Sequence, residues 1–135
     1  MKRIISLLAL VLLFNSCELN DGPNYTLELR PVISVDIPDE FTLGETYTIT
    51  MNYNKPTTCH FYNTIYYDKD LNVRTIAIET AKEEKNNCTE TPNDVSSCSF
   101  NFLVTSNGSY IFKFYQGKDD QGNNIFLEYE IPVTN

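Results

Sequence analysis

Four cysteines and one histidine are the side chains of this 135-residue chain best suited to covalent or metal chemistry. Cys59, Cys88 and Cys98 with His60 would make a zinc set, but no Cys-x-x-Cys pair is present and oxidation would compete for the thiols. His60 is the one group expected to titrate near neutrality. A serine nucleophile would need it beside a carboxylate and a shaped elbow, and Gly-x-Ser-x-Gly is missing. His60 is therefore expected as a partly exposed strand residue. Asp68, Lys69, Asp70 and Asn72, with Glu79 at the twelfth place, match several positions of an oxygen-ligand calcium loop. Val73 stands where that loop needs glycine, and the flanks read as strands. Lys118-Asp119-Asp120-Gln121-Gly122-Asn123-Asn124 is a similar acidic tip. Asp and Asn satisfy turn backbone without an ion, so both segments are expected to be solvated turns. The 18 acids single out no carboxylate pair for glycoside hydrolysis, and a small domain has little room for a deep cleft. The chain is expected to be no enzyme and to carry no cofactor and no metal.

The elements that must position these residues alternate with period two, as strands burying one face do. Leu27, Leu29, Ile33, Val35 and Ile37 share a phase, interrupted at Pro31, which suits an edge strand or a bulge. Tyr47, Ile49, Met51 and Tyr53 alternate with Thr46, Thr48, Thr50 and Asn52, the cleanest pattern in the sequence. Cys59, Phe61, Ile65 and Tyr67 form one row of the next strand and His60, Tyr62, Thr64 and Tyr66 the other. A short turn at Asp68 to Asp70 leads into Leu71 to Glu79, where the phase blurs. Thr80 to Val95 reads as a polar stretch, with Lys82 to Lys85 able to form one helical turn and Pro92 excluding a longer helix. Cys98, Phe100, Phe102 and Val104 make a row. After an Asn107-Gly108 turn come Tyr110, Phe112 and Phe114, and last Ile125, Leu127, Tyr129, Ile131 and Val133. About seven strands without a repeat predict one all-β domain, 26–135, folded as a two-sheet antiparallel sandwich, with a small antiparallel β-barrel as the alternative.

Two segments carry a resemblance. Leu43-Gly44-Glu45-Thr46-Tyr47 resembles the approach to the second strand of immunoglobulin-like and fibronectin-like domains. Ser106-Asn107-Gly108-Ser109-Tyr110-Ile111-Phe112 resembles the corner before their sixth strand, where a Tyr hydroxyl caps the turn. Phe112 takes the core place that is Cys in antibody domains, and no Trp exists, so the likeness is to the broader group. It implies that the third strand and the last hairpin are sheet neighbours. Tyr62 and Tyr66 on the former, with Tyr115 and Phe126 on the latter, would then make one exposed aromatic patch. The competing expectation is that a lid loop within Thr80 to Val95 covers these rings.

The N-terminus gives an address. Lys2 and Arg3 precede an apolar run, Ile4 to Phe14, too short to span a bilayer, which needs roughly 17 to 25 residues. The run ends Leu12-Leu13-Phe14-Asn15-Ser16-Cys17, which resembles a Gram-negative lipoprotein signal with a loose lipobox. The resemblance implies removal of residues 1–16, lipidation of Cys17, a polar tether over 17–25, and anchoring to the outer membrane on its surface or periplasmic side. At about 0.8 kcal/mol per buried methylene, two or three acyl chains hold effectively permanently. With Cys17 lipidated, at most one internal bridge remains. Cys88, in the most polar loop, is its expected member, paired with Cys59 or, as the alternative, with Cys98.

Cleavage removes two basic residues and no acid, so the formal charge of −8 becomes −10. Such a surface repels nucleic acid. These features favour a lipid-anchored envelope module, binding or structural, with an envelope protein or a glycan as partner. The alternative is an acidic periplasmic inhibitor or immunity-type lipoprotein blocking a basic enzyme.

Overall fold

The computed structural model describes residues 22–135; the signal segment 1–16, Cys17 and the start of the tether lie outside the described residues. The described chain is an all-β sandwich of nine strands: β1 (Tyr25–Arg30), β2 (Val32–Asp36), β3 (Phe41–Thr42), β4 (Thr46–Asn54), β5 (His60–Asp70), β6 (Val73–Glu83), β7 (Val95–Leu103), β8 (Gly108–Lys118) and β9 (Asn124–Thr134). The smaller sheet runs β2-β4-β7. In the larger sheet β5 occupies one edge of β6, while β1 and β8 share its other edge, and β9 and β3 follow β8. Most pairings are antiparallel, but β6 with β8 and β3 with β9 run parallel.

The count exceeds seven by two because Phe41–Thr42 forms a short strand of its own and Pro31 divides what the alternation joined. Proline has no N–H to give a ladder, so the chain leaves the larger sheet after Arg30 and joins the smaller at Val32. Val32, not Ile33, is the buried residue there, and Leu27 and Leu29 are half exposed. The blurred phase of Leu71 to Glu79 also has a cause. β6 is interior to its sheet, and the inward Ile76 and Ile78 and the small outward Ala77 between them are all buried, and such strands lose clean alternation. Lys82 and Glu83 extend this strand instead of beginning a helical turn, because both β1 and β5 offer it hydrogen bonds. The hairpin tip is Leu71-Asn72 rather than Asp68 to Asp70; Leu71 adopts φ 49°. The two strands thus replace the loop that calcium ligation would need.

The core lies between the sheets. Ile49, Met51 and Tyr53 of β4 meet Phe102, Tyr110, Phe112 and Phe114 with Ile76 and Ile78. Phe41, Phe102, Tyr110 and Phe112 form one ring cluster, with centroids 4.9 to 6.3 Å apart. The Tyr110 hydroxyl accepts from the N–H groups of Thr105 (3.2 Å) and Ser106 (2.9 Å), capping the corner.

Candidate functional site

A β-bulge decides which rings meet. Residues paired across a ladder share a sheet face. In β5, Tyr62 pairs with Thr80, but Tyr66 pairs with Ala77, with a register shift between Tyr62 and Thr64. Thr80 and Ala77 are an odd number of residues apart on one strand, so they face opposite ways. Tyr62 therefore points to the inner side of the sheet, with Ile65 and Tyr67, and Tyr66 to the outer side. The two tyrosines do not share the row that the sequence assigned them. Burial and nearby Cys98 raise the Tyr62 hydroxyl's pKa, consistent with the inner placement.

The outer face brings the other three rings together. β5 and β8 belong to one sheet, but β6 stands between them, and small Ala77 at its centre leaves a groove of about 440 Å³. Tyr66 walls one side; Tyr115 and Phe126 wall the other, their rings edge to face at 6.4 Å. Tyr66 is 54% exposed and Tyr115 only 9%, because Tyr115 lies low beside Phe126. Leu29 adds an aliphatic contact; Thr75, Glu79 and Asn124 supply polar atoms. The bulge residue Asn63 donates its side-chain N–H to Glu79 Oε1 at 2.6 Å, which fixes that carboxylate at the groove's end.

The expected lid is elsewhere. Residues 84–94 do not line the groove; they are held at the start of β5 by the Cys59–Cys88 disulfide and the Thr57–Glu90 bridge. Tyr25, Leu27 and Phe61, each about half exposed, lie on the same outer face as the groove. The Leu27 and Leu29 alternation was the available signal, but it carries no sign telling core face from solvent face.

The remaining chemical residues have structural roles. His60 is buried, 4% exposed, instead of partly exposed. Its Nε2 lies 3.3 Å from Glu28 Oε2, and Glu28 is also paired with Arg30. Thr57 Oγ1 sits 2.9 Å from His60 Nδ1. The hydroxyl-imidazole-carboxylate order is that of a nucleophile relay, but Thr57 Oγ1 also accepts the Cys59 N–H in a local turn, and neither cavity described here is lined by His60. Desolvation first, then Arg30 and Lys82, lower the His60 pKa.

The bridge joins Cys59 to Cys88, with Cα atoms 5.5 Å apart, and leaves Cys98 as a thiol. Burial pushes that thiol up to about 11, so it stays protonated and weakly nucleophilic at neutral pH. At the acidic tip, Asp119 Oδ1 accepts from the N–H groups of Gln121 and Asn123, and Oδ2 from the Asn123 side chain. These bonds hold its carboxyl below the usual range and satisfy the turn without an ion. No family model, curated protein or solved structure matches this chain.

Proposed function

We propose that this protein is a lipid-anchored module of the cell envelope that holds a glycan, without catalysis, in the groove between Tyr66 and the Tyr115–Phe126 pair. The observation that carries the reading is the groove itself: aromatic walls about a small residue, with carboxylate, hydroxyl and amide groups along its length. A sugar ring has apolar C–H faces and a belt of hydroxyls. Stacking on Tyr66 and Phe126 answers the faces, and Glu79, Thr75 and Asn124 answer the belt. The groove's volume falls within the roughly 300 to 1,000 Å³ usual for small-molecule sites. The acidic surface disfavours phosphorylated or nucleic ligands.

Affinity electrophoresis through a panel of neutral polysaccharides tests this: the mature protein should be retarded by at least one, and Phe126→Ala should migrate freely. Free migration of the wild type through every gel would refute the glycan reading. The anchor rests on the residues around Cys17. Labelling with a palmitate analogue should mark the wild type and spare Cys17→Ala; equal labelling would refute it.

The charge of −10 favours a second reading, an inhibitor of a basic enzyme. That reading requires capture of one cationic protein, released by salt, with the groove mutation having no effect on it.

A further inference from the structure

The inner side of the same hairpin holds a second cavity of opposite electrostatic character. β5 and β7 are free edges of the two sheets, and between them opens a cleft of about 510 Å³. Its walls are apolar: Ile65, Phe100 and Phe102, with Tyr67 set edge to face against Phe100 at 5.8 Å. Its charges are both positive. Lys69 and Arg74 are ladder partners and line the cleft together, while Asp68 and Asp70, one residue to either side of Lys69, face outward.

Arg74 is 3% exposed. One end of its guanidinium is fully engaged, Nη1 donating to the carbonyls of Leu71 (2.7 Å) and Val73 (2.8 Å). Its plane lies over Tyr110, Cζ 4.9 Å from the ring centroid, with Phe102 at 5.8 Å. Of the remaining guanidinium nitrogens, Nε is buried and has no hydrogen-bond partner, and the Tyr67 hydroxyl lies beside the group. Among the described residues no carboxylate forms an ion pair with Arg74 or Lys69. Ring faces and carbonyls offset part of the cost of burying this cation, but buried charges are ordinarily paired. In a chain with 18 acids and 10 bases, two unpaired cations at one apolar cleft leave room for an anion from outside.

We infer that the cleft binds a small organic carboxylate. The carboxylate meets Lys69 at the mouth and Arg74 at the floor, where a planar guanidinium suits a planar two-oxygen acceptor. The apolar body lies between Tyr67 and Phe100. This site is independent of the outer groove, since β5 and β6 separate the two.

The test is titration calorimetry of the mature protein with sodium benzoate, with sodium acetate and inorganic phosphate as comparison ligands at matched ionic strength. Benzoate should bind saturably, and acetate and phosphate at least about tenfold more weakly because they lack the apolar body. Lys69 is exposed, so Lys69→Glu should fold with an unchanged melting temperature and lose about tenfold or more of benzoate affinity. Ring resonances of Tyr67 and Phe100 should shift with benzoate and those of Phe126 should not. Absence of saturable benzoate binding, equal binding of phosphate, or an unaltered affinity in Lys69→Glu would overturn the assignment.

Discussion

The β5–β6 hairpin has two faces, and they differ in sign. Outward it shows Tyr66, Asp68, Asp70 and Glu79 around a groove floored by Ala77; inward it shows Tyr62, Tyr67, Lys69 and Arg74 beside the open edge of the sandwich. Neighbours in sequence thus serve different surfaces, as period-two geometry demands. One residue breaks the period. Asn63 is the extra residue of the bulge, and on its account Phe61 and Tyr66 lie outward while Tyr62 and Ile65 lie inward. What separates the two faces is therefore a register device as much as a pattern of residue types.

Shortening that segment past the bulge should have the largest effect. Deleting Asn63 alone closes the ladder, Tyr62 on Thr80 and Thr64 on Glu79, with every face kept; deleting Asn63 and Thr64 together makes Ile65 the neighbour of Tyr62, so either His60 and Tyr62 or Ile65 and Tyr67 must change face, and a slip of one residue moves every side chain beyond it. A loss of about 4 kcal/mol or more in denaturant unfolding is expected for the double deletion; unchanged stability would mean that this register does not set the faces. Reducing the Cys59–Cys88 bridge, which pins the hairpin's start, should cost about 3.6 kcal/mol through the 29-residue separation it closes.

Between pH 7 and pH 5 acid should act through His60, on the inner face. The pKa of His60 lies below its usual value near 6.5, so its stabilising contribution is complete above that value and fades as pH falls through the lowered one. Denaturation midpoints should decline from pH 7 to pH 5 in the wild type, and less steeply in His60→Gln. Ala77→Leu should fill the groove and abolish polysaccharide retardation, cost less than about 1.5 kcal/mol because it grows toward solvent, and leave benzoate binding intact. The smallest change is expected from Tyr66→Ala, within about 1 kcal/mol in stability, since its ring is half exposed.

Much of this architecture could be read from residue order. Thr46 to Asn54 announced β4 because each apolar residue there faces one packed core, and Tyr110 announced the corner because its hydroxyl has a fixed backbone partner. Cys88, in the polar loop, pointed to a bridge. Other features depend on partners that a single strand does not reveal. The alternation of Leu27 and Leu29 is identical whether it faces core or solvent. Arg74 reads as one more charged strand residue until Tyr110 and Phe102 are seen to enclose it. Tyr62 and Tyr66 keep an even spacing in sequence, and only the ladder to Thr80 and Ala77 exposes the inserted residue between them.

Those two tyrosines also provide the most direct test. With a polysaccharide that retards the wild type, Tyr66→Ala should abolish retardation and Tyr62→Ala should leave it unchanged, both variants folding normally. Retardation that survives Tyr66→Ala and disappears in Tyr62→Ala would place the ligand on the other face and end the reading of the outer groove as the binding site.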